Sequence, residues 1–248
     1  MSRLYRNITL LSVAALAINF GACAQRYWQR IDVALNVGYA TFSMSDLKDL
    51  QNEQMSYLPL DGKITNSFPG YLNFSVEGVF YDSTYFVGTL IGHTSTGGRI
   101  NYSDYSGSVT LDQLVKMNYN GLVGALRIAS TKAGNIFVGM NLLTYFNRVE
   151  MKYSEVVLGE SASTSFKLQS INVALGPFVQ LHKRLGKLFI KGYAGYELHL
   201  GMDLTYDGSD QKYTNNSNEN VKVNADGLRA GIGVGYAVYT RRPGENRQ

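Results

Sequence analysis

The chain has 248 residues, enough for one large all-β domain or two small domains with a buried core. Its single cysteine, Cys23, excludes an intramolecular disulfide and a four-cysteine zinc site. The formal net charge is +4, and from Gln25 onward 21 basic residues stand against 19 acidic ones. That balance is too even to predict nucleic-acid binding, so no nucleic-acid partner is expected.

The N-terminal residues have the pattern of an export signal. Two arginines precede a mostly apolar run from Ile8 to Phe20, which is too short to cross a bilayer as a helix. The triplet Ala22-Cys23-Ala24 fits a signal-peptidase site, so cleavage before Gln25 is expected, and lipidation of Cys23 is the alternative. The predicted organisation is a signal peptide (1–24), a short N-terminal segment (25–30), one β-domain (31–240) and a polar tail (241–248).

Beyond this signal, apolar and polar residues alternate with the two-residue period of β-strands. In the last such segment, for example, branched residues such as Val234 alternate with Arg229 and with glycines. Within 114–129 the apolar positions shift parity, which predicts a β-bulge near Gly121. The pattern predicts eight strands, at residues 31–41, 72–80, 85–93, 114–129, 136–153, 171–182, 188–203 and 227–238.

The connections between these strands alternate strictly between short and long. Short polar connections occur at 82–83, 130–135 and 183–187, and long polar stretches at 42–69, 94–111, 154–165 and 207–222. This is typical of outer-membrane barrels, which have short periplasmic turns and long extracellular loops. The sequence therefore predicts an all-β fold, an eight-stranded antiparallel transmembrane β-barrel, located in the cell outer membrane with lipid as its main partner.

The size of the side chains decides between this barrel and a soluble one. On the last strand the glycines share one face with Arg229, whereas the opposite face is branched or aromatic. A narrow lumen has room for small residues, so the apolar face is expected to point outward to lipid. A secreted soluble β-barrel that acts as a binding module is the alternative. Two interfacial girdles are predicted from Tyr27, Trp28, Tyr81, Tyr85, Phe137 and Phe189 at the short-turn end, and from Tyr39, Phe42, Tyr119, Tyr145, Phe146, Phe166 and Tyr206 at the other.

Five charged or titratable residues fall on the inward face: Glu77, Lys191, Glu197, His199 and Arg229. Charges in a narrow lumen are costly unless they are paired, so we expect a polar network that fills the interior, with Arg229 paired to Glu77 or Glu197. A narrow porin-like path for small solutes is the alternative function. The three histidines are scattered and form no catalytic or metal-ligand set with other residues, so no enzymatic activity, metal or cofactor is expected.

The first long loop, 42–69, is the best candidate for contact with a partner. Ser43-Met44-Ser45-Asp46 fits a capping-box pattern, which predicts a short helix over 45–54. We expect this helix to fold over the rim and cover the lumen. The alternative role is binding of an extracellular or secretion-machinery protein through loop 42–69. The loop 207–222 is rich in Asn, Asp and Ser and is expected to be solvated and mobile.

Three stretches resemble a known family: Val33–Tyr39 (VALNVGY), Met44–Leu50 (MSDLKDL) and Gly231–Tyr239 (GIGVGYAVY). Through them, residues 31–239 resemble the outer-membrane β-barrel domain family of Gram-negative bacteria that is called porin-like or PorT-like. The resemblance implies a surface-exposed eight-stranded barrel, with some relatives linked to adhesion or to secretion machinery. We therefore expect a structural or interaction role. The chain departs from many such barrels by continuing past the aromatic Tyr239 into a polar tail.

Overall fold

The computed structural model describes residues 30–57, 62–82, 84–105, 107–157 and 160–239. The expected signal peptide, residues 25–29 and the polar tail lie outside these ranges, and Arg30 already belongs to the first strand. The elements in chain order are β1 (Arg30–Ala40), α1 (Ser45–Tyr57), β2 (Lys63–Ser67), β3 (Tyr71–Tyr81), β4 (Tyr85–Ser103), β5 (Gly107–Thr131), β6 (Gly134–Val157), β7 (Glu160–Leu185), β8 (Leu188–Leu200), β9 (Thr205–Tyr206) and β10 (Gly227–Tyr239).

Among the described residues, eight strands close into one antiparallel ring in the order β1, β3, β4, β5, β6, β7, β8 and β10. The ring closes because β1 pairs on both sides: Leu35 lies opposite Val76 of β3 and opposite Val234 of β10. Two short strands stand apart from the ring, with β2 on β4 and β9 on β7. The predicted eight-stranded barrel is confirmed. Because the ring is closed, its eight strands have no free edge where they are paired.

Side-chain exposure on the ring has the inverted parity of a membrane barrel. Val234 and Leu198 are each 54% exposed, whereas Arg229 is 4% exposed. An apolar band of this extent is stable against lipid but not against water, so the soluble alternative is wrong. We call this band the apolar belt; it includes Val33, Leu35, Val37, Leu72, Phe74, Val76, Val87, Ile91, Leu122, Leu126, Val138, Met140, Leu142, Val173, Leu175, Val179, Leu181, Ile190, Leu198, Ile232, Val234 and Val238.

Four strands continue far beyond the apolar belt at the long-loop end. β4 runs to Ser103 and β5 starts at Gly107, while β6 runs to Val157 and β7 starts at Glu160. The predicted long loops 94–111 and 154–165 are therefore wrong, because most of these residues are paired strands. Their outward side chains are mostly polar since they face water, and this polarity is also what a loop would show. We call the part of β4–β7 beyond the belt the projecting sheet.

The predicted bulge at Gly121 is also wrong. The pairing runs without a shift through Gly121, which lies opposite Leu90 on one side and Leu143 on the other. The register shift occurs instead between Arg127 and Ala129. The apparent change of parity has another cause: the outward face of β5 passes from lipid to water, so the apolar side chains move to the inward face without any extra residue.

The helix α1 covers the extracellular end of the ring, as expected. It starts at the predicted Ser45 and continues three residues past the predicted end, to Tyr57. Leu47 and Leu50 are buried in a core with inward residues of the projecting sheet, and Val221 and Val223 complete that core. We call α1 together with residues 221–225 the cap. No helix in the described ranges is long and apolar enough to cross a membrane.

The loop 207–222 is more structured than expected. Its backbone pairs within itself at Thr214 and Asn220, and with neighbouring residues at Thr205–Lys212 and Asp203–Lys222. Its early residues are exposed, but its end enters the core of the cap. The prediction of a freely solvated loop holds only for its exposed part, since Val221 supplies an apolar anchor.

Of the eleven predicted girdle aromatics that lie in the described residues, six are buried inside the barrel instead. Tyr81, Phe137 and Phe189 are buried at the short-turn end, and Phe42, Tyr119 and Tyr145 are buried toward the other end. An eight-stranded lumen is narrow enough to be filled by side chains, and large rings fill it well. Exposed aromatics do occur near the two boundaries, at Tyr39, Tyr85 and Phe166. Tyr27 and Trp28 lie outside the described residues.

Candidate functional site

The lumen is divided into an apolar plug, a polar band and the cap. The plug closes the short-turn end with Val79, Tyr81, Phe86, Val123, Ala125, Phe137 and Phe178, and we call it the periplasmic plug. Its rings contact edge to face, with centroids 5.6 Å apart for Tyr81 and Phe137 and 5.2 Å apart for Phe86 and Phe137. Between plug and cap lie all five residues expected in the lumen network, each of them buried.

The five residues form two clusters rather than one. In the first, Lys191 of β8 places its Nζ 2.6 Å from Glu77 Oε2 of β3. The neighbouring strand makes room for this lysine, because Lys191 lies opposite Gly233 and a Cβ there would overlap the Lys191 side chain. The glycine face of β10 thus leaves space that long side chains from β8 occupy. The pair satisfies two charges that would each be costly alone in the lumen.

The second cluster is built around the Glu197 carboxylate. Arg229 Nε lies 3.0 Å from Glu197 Oε2, so of the two partners expected for Arg229 the structure selects Glu197. Tyr145 donates its hydroxyl to the same oxygen at 2.6 Å, and His199 Nε2 lies 3.5 Å from it. One buried carboxylate is therefore held by a cation, a phenol and an imidazole from three different strands.

Arg229 also ties the polar band to the segments that flank the cap. Its Nη1 donates to the carbonyl of Thr41 at 2.6 Å, and its Nη2 donates to the carbonyl of Ala225 at 2.9 Å. The guanidinium carbon lies 5.1 Å from the ring centroid of Phe42. The fork of a guanidinium can make these contacts and the ion pair at once, which an ammonium cannot. Arg229 therefore holds both chain segments that enter the cap.

The tyrosines of the lumen were not expected there, since Tyr119 and Tyr145 were predicted to form part of an interfacial girdle. Tyr119 donates to Asn73 Oδ1 at 2.5 Å, and its ring centroid lies 4.9 Å from that of Tyr145. Tyr119, Tyr193 and the two ion pairs line a cavity of about 40 Å³. A space of that size holds about one water molecule. Parity was the signal that could have found Tyr193, because it shares the inward face of β8 with Lys191 and Glu197.

A third polar cluster lies beside the periplasmic plug. Arg30 and Asp32 form an ion pair at 2.6 Å, and Tyr81 Oη lies 2.8 Å from His182 Nδ1. The His182 ring stacks on Phe189 with centroids 4.5 Å apart. The sequence places His182 next to a short turn, and the structure shows that it is buried there rather than presented to the periplasm. Together with the periplasmic plug, this cluster closes the periplasmic end of the lumen.

The remaining titratable residues of the described ranges form no metal-ligand cluster. Across the described ranges, no group of three or more His, Cys, Asp or Glu side chains is placed to hold a metal ion. His93, at the upper edge of the belt, is exposed and its Nδ1 lies 2.8 Å from Asn118 Oδ1. The charged groups of the polar band are paired with one another, as in Lys191–Glu77 and Arg229–Glu197, so the arrangement can fill and brace the barrel.

Comparison with known proteins gives structural likeness alone. No protein-family model and no curated protein matches the sequence. The structure is similar to that of Ail, the attachment invasion locus protein of Yersinia pestis, with 12% identity, a TM-score of 0.35, and coverage of 85% of this chain and 99% of that one. It is also similar to the outer membrane protein AlkL, with 17% identity, a TM-score of 0.43, and coverage of 88% and 94%.

These likenesses are too distant to bear on function, and the architecture itself is the stronger argument. A spanning sheet must pair every backbone group, which a closed ring achieves. The closed antiparallel ring, the apolar belt and the polar lumen together are the defining features of barrels that reside in the bacterial outer membrane. The chain is therefore an outer-membrane β-barrel protein.

Proposed function

We propose that this barrel has a structural or interaction role at the cell surface, as an adhesion or assembly component, and that it is neither an open pore nor an enzyme. The observation that carries the proposal is the closure of the lumen at both ends. The periplasmic plug fills one end, and the cap fills the other with Leu47, Leu50 and Val223. The cavity between them is about 40 Å³.

The surface available for such a role is the projecting sheet. On β6, Phe146 is the last apolar outward residue before Arg148, and the strand continues to Val157. Eleven or so residues at about 3.3 Å each extend roughly 35 Å along the strand beyond the lipid boundary. This length is ordered by pairing, so it presents a rigid surface rather than free loops. Rigid, pre-formed surfaces bind with a smaller entropic cost.

The outer face of the cap is part of the same surface. Asp49 and Asn52 of α1 are exposed, while its inner face is buried. The partner class expected from loop 42–69, an extracellular or secretion-machinery protein, would contact this outer face. Membership of the porin-like or PorT-like family belongs to the same proposal, since relatives in that family are surface barrels.

Planar bilayer recording tests the closed lumen. The purified, folded barrel should give no stable, stepwise ion current at moderate voltage. Conduction would require both the plug and the cap to leave the lumen. Reproducible large currents from the wild-type protein would refute the filled lumen and favour porin-like transport of small solutes.

A trimmed hairpin tests the interaction role. Lys152 of β6 lies directly opposite Ser165 of β7, so residues 153–164 can be replaced by an Asn-Gly turn without changing the register. None of the described residues removed is buried. Cells that display the wild-type barrel should adhere to matrix-coated surfaces or to one another, and cells with the trimmed barrel should not. Equal adhesion by both, with equal heat-modifiability on a denaturing gel, would count against the proposal.

A further inference from the structure

The short-turn end of the barrel has a one-sided charge. Five basic side chains are exposed there: Arg127, Lys132, Lys183, Arg184 and Lys187, which we call the basic rim. Within the described residues, the acidic groups at this end are Asp32, which is buried against Arg30, and Asp82, which is partly exposed. The opposite end has more acidic than basic residues over the same described ranges. The positive charge is therefore concentrated at the periplasmic boundary.

The basic rim is continuous with the lipid-facing surface. Val179, Leu181 and Lys183 share one outward face of β7, and the first two belong to the apolar belt. Lys183 lies two residues along the strand from Leu181, a distance of about 7 Å. This is about the thickness of the headgroup layer next to the hydrocarbon core. Lys183 thus lies one outward position beyond Leu181, and the exposed Leu185 and Leu188 follow it at the turn.

The turns keep the other lysines at the same depth. Leu185 pairs with Leu188, so Gly186 and Lys187 alone form that turn, and the positive φ of Gly186, 71°, allows it to be this tight. Thr131 pairs with Gly134 in the same way, which leaves Lys132 in a two-residue turn. Both turns are only two residues long, so the ammonium groups of Lys132 and Lys187 stay close to the membrane surface.

We propose that the basic rim binds the phosphate groups of anionic phospholipids in the periplasmic leaflet of the outer membrane. The ligand chemistry is a phosphodiester with net negative charge, such as the headgroup of phosphatidylglycerol. Basic residues at a membrane surface attract such lipids, and the long lysine side chains can follow the headgroups while their stems stay apolar. This site rests on the barrel architecture and is independent of the adhesive role.

Spin-label electron paramagnetic resonance measures the proposed preference on the full-length folded barrel. The protein is placed in phosphatidylcholine vesicles with spin-labelled phosphatidylglycerol or spin-labelled phosphatidylcholine, and the motionally restricted fraction of each is compared. Phosphatidylglycerol should be preferred about five-fold, the factor expected for one basic residue at a membrane surface, and high salt should reduce the preference.

Matched variants locate the site. The triple variant Lys132→Gln, Lys183→Gln, Lys187→Gln should lose most of the preference, whereas the corresponding triple arginine variant should keep it. A control with the same loss of charge at the other end, Lys63→Gln, Lys152→Gln, Lys167→Gln, should behave as wild type. Heat-modifiability of each variant on a denaturing gel verifies folding.

Three results would overturn the assignment. The first is the absence of a preference in the wild type, and the second is an equal loss in the control triple. The third is a glutamine triple that keeps the lipid preference but loses binding to isolated peptidoglycan sacculi, which would make the cell wall the ligand instead.

Discussion

Replacing Arg229 with methionine should destabilise the barrel strongly. The side chain is buried, pairs with Glu197 at 3.0 Å, and donates to the carbonyls of Thr41 and Ala225. Its loss leaves a buried carboxylate without its cation, which typically costs about 3–5 kcal/mol. With a urea slope of about 2 kcal/mol per molar, the unfolding midpoint should fall by about 2 M. Reversible unfolding in detergent micelles or vesicles, followed by heat-modifiability, measures this shift.

Two further variants make the test specific to a buried pair. Arg229→Met combined with Glu197→Gln removes both charges. The double variant should therefore lose about 1–3 kcal/mol less unfolding free energy than the two single variants lose together. Arg99→Met is the surface control, because Arg99 pairs with Asp112 at 2.5 Å but both side chains are partly exposed. That loss should be at most about 1 kcal/mol. A cost for Arg229→Met as small as the surface control, or strictly additive effects in the double variant, would refute the reasoning.

Three other predictions follow from the belt, the lumen and the extracellular loop. Ile232→Arg places a charge on the lipid-facing surface and should cost about 2–4 kcal/mol in vesicle folding assays, whereas a neutral effect would mean that Ile232 faces water. Gly235→Ala would push a Cβ against an aromatic ring in the lumen and should cost about 1–3 kcal/mol in urea titrations, whereas Gly78→Ala, with open space around its Cα, should be neutral. A hydrogen bond from Lys212 lowers the pKa of Asp203, so its stabilisation of the loop is complete above the pKa of an unfolded aspartate and is lost as the pH falls through the lowered value. Pepsin should therefore cut residues 203–222 more readily as the pH falls in the wild type, and Asp203→Asn should remove that difference.

The sequence was sufficient to predict the ring and the orientation of its side chains. Alternation located all eight strands, and the small residues beside Arg229 indicated which face is internal. Those inferences succeed because lipid imposes one rule along the whole belt: outward positions must be apolar. The same rule restricts polar side chains along the belt to the inward face, where the five predicted lumen residues are buried.

The errors of the sequence analysis occur where a strand leaves the membrane. On β5, Lys116 and Leu122 face outward alike, yet one contacts water and the other lipid. Polarity on the outward face was therefore interpreted as a bulge or as a loop, when the pairing is unbroken. The girdles failed for a different reason: the aromatics were assigned by their distance from the strand ends, although alternation places Tyr81 on the inward face with Glu77.

The composition of the cap imposes an order on biogenesis. Its core joins Met44, near the start of the domain, to Val223, near the end, and Arg229 contacts Thr41 across the junction of β1 and β10. These segments can contact each other only once the first and last strands, β1 and β10, have paired. The core of the cap can therefore be completed only after β1 and β10 have paired, so a barrel with an open seam also lacks a closed extracellular end.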